Sequence, residues 1–386
     1  MHNTTYKASD FGRYPLMFYY EVTQACDLVC KHCRASAQEH AASDELSTEQ
    51  SLALIDEVAK FERKPTMVFT GGDPLKRGDL FPLIRYAVNR GIQTALTPSA
   101  TPLATRGAFE RAKEVGVQAL GISVDGPNAT VHDAFRGFEG SFAKTLEMLE
   151  FARQLKFPVQ VNTSVTRRNV DLLDDIAELL ADRGIMMWSV FFLVPVGRGL
   201  EEERIKPEEY ETAFAKLWRH AQRKPFAVKT TEAPHYRRYV LQQGGDPLAS
   251  HETKTQKMMA QNKTPRQNPA QRPHRSGTHR APLGVTDGRG IMFVSQNGEI
   301  YPAGFLPVMC GKFPNDSPAD VYRSHPVFQA LQDPNNYHGI CGQCEYRLVC
   351  GGSRARAYAV TGDYLGAEPD CVYQIGQREL VAPEEC

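Results

Sequence analysis

The sequence predicts an α/β fold, a parallel sheet curved into an open barrel and followed by a small cysteine-bearing unit. Three observations predict it. Apolar strand-like runs alternate with helical patterns at least five times before residue 222. Strands of this kind, apolar rather than half-polar, need helices on their outer face, which is the arrangement of a parallel sheet. Polar or glycine-rich segments follow directly after the strands, where such sheets keep their ligand loops.

The elements follow in order. Pro15 to Gln24 reads as the first strand, apolar and aromatic, and a cysteine loop comes straight after it. Ser47 to Phe61 reads as a helix capped by Ser47 or Thr48. Thr66 to Phe69 is a short buried strand that runs into Thr-Gly-Gly-Asp-Pro. Leu80 to Arg90 is helical and is stopped by Gly91. Thr94 to Thr97 is a strand, with a helix over about 103 to 115. Val117 to Val124 is a strand ending in Asp-Gly-Pro, and Phe142 to Leu155 a helix. Val159 to Val165 and Met186 to Val194 are strands, separated by a helix over Val170 to Arg183. The second of these strands ends in Pro-Val-Gly-Arg-Gly, and Pro207 to Ala221 is a further helix. Together these elements make a partial (β/α)6 TIM-like barrel. Residues 242 to 283 are rich in Gln, Pro, Lys, Arg, Thr and His, and nearly free of bulky apolar groups, so they read as a polar linker or mobile insertion. The cations Lys254, Lys257, Lys263, Arg266, Arg272, Arg275 and Arg280 leave a substrate or partner contact open there. Gly290 to Ser295 and Glu299 to Tyr301 flank Asn297-Gly298, a β-hairpin signal.

Composition narrows the functional classes. The formal net charge of the 386 residues is zero, which gives no general attraction to nucleic acid. No signal peptide or membrane-spanning run is evident, so a cytoplasmic protein is expected. Nine cysteines, seven of them in a CxxxCxxC or CxxCx5C cluster or its sequel, point to metal rather than disulfides.

Cys26-x3-Cys30-x2-Cys33 crowds three thiols into one loop. Three thiolates can hold three irons of a cubane cluster and leave the fourth open for a small molecule. Zinc is the rival reading, with His32 as a further ligand, but structural zinc sites usually arrive as two separated pairs. Gly71-Gly72-Asp73-Pro74 lies at a strand end. Its glycines allow close backbone approach and its acid suits a cation, although such turns are often purely structural.

These residues resemble the radical S-adenosylmethionine (SAM) superfamily. The motif is CDLVCKHC, residues 26 to 33, and GGDP, residues 71 to 74, looks like the family's second element. The resemblance implies a [4Fe-4S] cluster on Cys26, Cys30 and Cys33, SAM chelated to its open iron, and a 5′-deoxyadenosyl radical that abstracts hydrogen from a substrate C–H bond. His32 takes the place of an aromatic residue near adenine. Carbonyls of Gly71 and Gly72, with Asp73, are expected to meet the SAM ammonium. Ser123 and Asp125 resemble ribose and carboxylate contacts, Asn162 or Ser164 is a further polar contact, and Val194 to Gly197 is expected near adenine.

Cys341-x2-Cys344-x5-Cys350-x20-Cys371 supplies four more thiols, for which a structural zinc is a real alternative. The segment from Cys344 to Cys371, with the preceding hairpin, resembles the SPASM or Twitch tail of radical SAM enzymes. Alanine at position 303, where a full SPASM domain often has cysteine, implies one auxiliary [4Fe-4S] cluster. A fully ligated cluster suits electron transfer. Arg354 and Arg356 are expected beside it, Cys310 is a weaker ligand candidate, and Cys386 a bystander. The resemblance divides the chain into a radical SAM partial barrel (10–225), a linker (226–283) and a small C-terminal iron–sulfur auxiliary domain (284–380).

Over about residues 10 to 375 the likeness extends to haem-synthesis enzymes acting on porphyrin propionates or acetates, and to maturases of ribosomally made peptides. The latter often carry a leading peptide-binding domain, for which the early first strand leaves no room, though a separate recognition protein can supply it. A flavodoxin or ferredoxin is the expected electron donor. His235, Arg237 and Arg238 read either as partners for porphyrin carboxylates or as a solvated helix face. A non-catalytic iron–sulfur carrier and a nucleic-acid binder are the remaining classes, and the SAM-like loops weigh against both.

Overall fold

A computed structural model describes residues 7–247 and 284–376. The basic part of the linker and Cys386 lie outside the described residues. One ten-stranded sheet organises the chain. Its first half alternates strand and helix: β1 (Met17–Glu21), α1 (Thr48–Ala59), β2 (Thr66–Thr70), α2 (Leu80–Asn89), β3 (Thr94–Leu96), α3 (Arg106–Glu114), β4 (Ala119–Ser123), α4 (Ala129–Arg136), α5 (Ser141–Gln154) and β5 (Val159–Val165). Then come α6 (Leu173–Ala181), β6 (Met187–Phe192), α7 (Pro207–Arg223), β7 (Ala227–Thr231) and α8 (His235–Gln242). The C-terminal part contributes β8 (Ile291–Val294), β9 (Glu299–Tyr301), β10 (Gly311–Lys312), α9 (Pro318–Ser324), α10 (Pro326–Gln332), α11 (Gly339–Gln343) and α12 (Arg354–Thr361).

Strands β1 to β7 pair in parallel in chain order, and β8 joins the other edge of β1, also in parallel. The six expected strand–helix units are therefore present. The hairpin β8–β9 closes at Asn297-Gly298 as the sequence predicts, but it extends the barrel sheet instead of standing apart from it. The expected domain division placed residues 226–242 in the linker, yet they form β7 and α8. The alternation of Val228 with Lys229 and Thr230 was too polar to read as a strand. Helix α4 was also unanticipated. Asn128 caps it by accepting from Val131 N, and Gly137 ends it in the left-handed conformation.

Alternation sorts the side chains. Along β5, Val159, Val161, Thr163 and Val165 are buried, while Gln160, Asn162 and Ser164 are half-buried on the other face. The buried set packs in the main core with Trp188, Leu173 and Phe214 from the helical side. The other set faces the hollow of the sheet. Ser123, Asn162, Ser189 and Lys229 stand in register across β4 to β7 as a polar row on that face. A second, smaller core of Val194, Ala303, Leu306, Leu331 and Ala355 joins the C-terminal part to the end of β6.

Candidate active site

Cys26, Cys30 and Cys33 lie in the loop after β1, at the strand ends. The loop is closed at its base, where Cys26 N donates to Gln38 O at 2.7 Å and Gln38 N donates to Gln24 O at 3.1 Å. The three cysteines share one small apolar cluster with Leu28, Ala37 and Phe138. Leu28 N donates to Cys26 Sγ and Ala37 N to Cys33 Sγ, both at 3.4 Å. Arg136 Nη1 donates to Cys30 Sγ at 3.7 Å. Burial pushes the Cys26 thiol up to about 11 and raises Cys30, with Arg136 opposing the latter. A bound cationic metal is what offsets such a penalty, because thiolate is the ligand form. Among the described residues no three Cys, His, Asp or Glu side chains gather closely enough to hold a single ion. A cube takes each thiolate on a different corner and so asks for three thiols on one loop, and here two backbone N–H groups of that loop already point at sulfur.

Two neighbouring loops brace the cysteine loop. Methyl groups at Gly71 or Gly72 would sit 2.5 Å from Thr23 O and Ala25 O, so only glycine lets the end of β2 press on the chain leading to Cys26. Asp73 is fully buried, and its carboxylate accepts from Leu75 N, Ser99 N and Thr101 Oγ1. It thus folds the turn, while Ser99 Oγ bonds Gly72 O at 2.7 Å. The second brace is Arg198, which donates from Nε to Cys30 O at 2.9 Å and from Nη1 to Ala37 O at 2.8 Å. Its own backbone N–H donates to Cys33 O at 3.0 Å.

Asp125, at the end of β4, is fully buried and ion-paired with Arg136. It also accepts from Ser164 N at 2.7 Å. Burial alone would raise this carboxyl, but Arg136 and the backbone donor hold it below the usual range. Arg136 therefore links a carboxylate to the Cys30 thiol. His32 stacks on Phe135, with ring centroids 4.4 Å apart. Burial lowers its pKa to about 4, so it is a neutral, flat ring at pH 7, and its Nδ1 is buried without a protein partner.

The structure thus gathers Cys26, Cys30, Cys33, His32, Gly71, Gly72 and Asp125 at one rim, with Asp73 beneath. Ser123 and Asn162 stand side by side on adjacent strands, and Asn162 Oδ1 accepts from Gln160 Nε2 at 2.7 Å. Val194 is not among them, because its side chain packs into the second core. Sequence reasoning missed Arg136 and Arg198. The signal for the second was the Gly-Arg-Gly step after β6, and for the first the Arg136-Gly137 helix stop.

The second cysteine group shows the same pattern. Cys341 Sγ accepts from Glu368 N at 3.3 Å, Cys344 Sγ from Tyr346 N at 3.4 Å, and Cys350 Sγ from Gly352 N at 3.5 Å. Cys371 is bonded by the backbone N–H of Tyr373. Arg354 Nη2 donates to Cys341 Sγ at 3.7 Å. Cys310 stands apart in the main core, where its thiol donates to Val308 O and burial pushes it up to about 12.

Expectations for four basic residues need correcting. Arg356 does not face the thiols. It is wholly buried between Glu368, Asp370 and the carbonyls of Phe192, Leu193 and Glu232. His235 is 1% exposed between the rings of Tyr210 and Phe214. Arg238 is paired with Glu211, and Arg237 bonds Val349 O and Val285 O. The three α8 residues therefore do not form a solvated helix face.

Glu232, in the left-handed region at φ 57, closes the seam between β7 and the C-terminal part. Its carboxyl is hydrogen-bonded to that of Asp287, and Ser353 Oγ donates to it. Burial, then Asp287, raises the Glu232 pKa well above the carboxyl range, with Arg356 opposing, so the pair shares a proton. The folded state then binds more protons than the unfolded chain. This contribution is complete below the unfolded value of 4.5 and is lost as pH rises through the pair's own, higher value. Glu232→Gln keeps a donor for Asp287 and is expected to remove a stability slope of up to about 1.4 kcal/mol per pH unit. Urea midpoints between about pH 5 and pH 8 check this, and a slope identical to wild type contradicts it.

Comparison with known proteins agrees with this geometry. The family model described as the radical SAM superfamily matches residues 20–186. The chain is 37% identical to the AdoMet-dependent heme synthase of Methanosarcina barkeri, over 94% of this chain and 98% of that protein. It is 36% identical to the AdoMet-dependent heme synthase of Oleidesulfovibrio alaskensis, over 92% and 86% of the two chains. Streptococcus suis SuiB bound to its precursor peptide SuiA shares the fold, with a TM-score of 0.68, 12% identity, and coverage of 94% and 76%.

Proposed function

The chain belongs to the radical SAM superfamily, and we propose that within it this enzyme oxidises carboxylate side chains of an iron porphyrin to yield haem. The observation that carries the proposal is the 37% identity to a haem synthase across nearly the full length of both proteins. When bound, a [4Fe-4S] cluster and SAM supply a 5′-deoxyadenosyl radical, and an auxiliary [4Fe-4S] cluster supplies an electron acceptor. Cys26, Cys30 and Cys33 hold the first cluster; Cys341, Cys344, Cys350 and Cys371 hold the second. Gly71, Gly72, His32, Ser123, Asp125 and Asn162 form the SAM side of the rim. Among the described residues no helix is long and apolar enough to cross a membrane. We place the enzyme in the reducing cytoplasm, with a flavodoxin or ferredoxin as electron donor.

The hollow of the sheet suits a flat, anionic macrocycle. Tyr19 and Phe191 are half-buried on the inner face, and Phe305 reaches Phe191 from the C-terminal part at 6.2 Å. Such rings give apolar, planar contact. Lys229, exposed on β7 in register with Ser189, brings a cation to the same face. The chain's task is to hold the side-chain carbon near the radical source and keep water out, since a primary radical attacks most C–H bonds.

Anaerobic protein given SAM, reductant and an iron porphyrin with propionates in place of haem's vinyl groups is expected to release CO2 and form haem. One deoxyadenosine should appear for each vinyl group. Lys229→Met is expected to weaken porphyrin binding about tenfold and leave SAM cleavage intact. Absence of porphyrin turnover, with modification of a ribosomal peptide instead, would favour a maturase.

A further inference from the structure

Arg237 stands beside the second cysteine group without a carboxylate counter-ion, unlike its neighbour Arg238. It projects from α8, the last helix of the barrel half, into the C-terminal part. There it donates from Nη1 to Val349 O at 3.1 Å, next to Cys350, and from Nη2 to Val285 O at 2.8 Å. Among the described residues no carboxylate forms an ion pair with it, whereas Arg238 has Glu211 and Arg356 has Glu368 and Asp370. Among its neighbours Cys350 exerts the largest charge effect on it, and Arg289 adds an opposing positive one. Arg354 also borders the group, with bonds to Gly366 O and Cys341 Sγ and no ion pair to a carboxylate. A buried cation left alone is costly. Arg237 is half-buried, and the sulfur of Cys350 with whatever it binds is the charge that faces it.

We propose that Arg237 is a positioning residue that sets the reduction potential of the auxiliary cluster, so that this cluster accepts the electron released by the substrate. The proposal rests on the reading of Cys341, Cys344, Cys350 and Cys371 as ligands of a [4Fe-4S] cluster. A fixed positive charge favours the reduced, more negative cluster and raises its potential. The electron balance is simple. The substrate radical gives up one electron as its bond to the carboxylate carbon breaks, CO2 leaves, a C=C bond forms, and the auxiliary cluster is reduced by one electron.

The test is a redox titration of the full-length, anaerobically reconstituted protein followed by electron paramagnetic resonance. The wild-type iron count comes first: iron for one cluster alone removes the ligand assignment itself, not the role of Arg237. With both clusters present, Arg237→Gln is expected to lower the equilibrium constant for reducing the auxiliary cluster about tenfold, which is about 59 mV for one electron. The first cluster's potential stays unchanged, and Arg237→Lys restores most of the auxiliary value. Glu211→Gln, at a partly exposed site, strips Arg238 of its carboxylate and is expected to move the auxiliary potential upward. An unchanged potential in a fully loaded Arg237→Gln, a fall as large in Arg237→Lys, or no rise in Glu211→Gln overturns the proposal.

Discussion

Replacing Arg356 with leucine is expected to cost about 3–5 kcal/mol and to loosen the C-terminal part from the barrel. The guanidinium is fully buried. It pairs with Glu368 at 3.0 Å and Asp370 at 3.2 Å, and it donates to the backbone at the ends of both β6 and β7. Removing it leaves a buried carboxylate without its partner and three carbonyls without a donor. Asp370 keeps Arg204 and the Tyr210 hydroxyl, so Glu368 bears most of the penalty. The variant Arg356→Leu combined with Glu368→Leu should therefore recover part of the loss, since apolar replacement of a whole buried pair is often neutral. Denaturant midpoints measure both, and a single variant within 1 kcal/mol of wild type, an exposed-site value, contradicts the account.

Gly197→Ala is expected to remove the first cluster and spare the second. Gly197 sits at φ 57. A methyl there would lie 2.5 Å from Cys33 O and closer still to Arg34 O. The loop must move, and with it Arg198, whose three bonds hold the carbonyls of Cys30, Cys33 and Ala37. Outer supports of this kind are typically worth about 10–100-fold in metal affinity or activity. Iron analysis and the spectra of the two clusters would show a selective loss at the N-terminal site. Equal loss at both sites would mean general misfolding.

Much of this was legible because the chemistry is local in sequence. The cysteine loops are contiguous, the strands are strongly apolar, and the ligand loops follow them. The hairpin at Asn297-Gly298 and the Ser47 helix cap were legible for the same reason. What was not legible depends on distant pairing. Arg136 matters because α4 lays it between Asp125 and Cys30, and Arg198 because β6 returns to the first loop. Arg356 looks like a cluster-facing cation until the fold pairs it with Glu368. Strand β7 carries Lys229 and Thr231 toward the hollow, so it lacks the apolar run of the other strands. Asp73 looks like a ligand, yet three protein donors occupy it.

The central claim is that Cys26, Cys30 and Cys33 hold a cluster on which SAM is cleaved. Its most direct measurement is 5′-deoxyadenosine release by anaerobic, iron-reconstituted protein supplied with SAM and a strong reductant, with Cys30→Ala in parallel. Wild type is expected to form deoxyadenosine and Cys30→Ala to form none, while the variant keeps the iron of its C-terminal site. Undiminished deoxyadenosine from Cys30→Ala, or zinc in place of iron at the N-terminal loop, would contradict it.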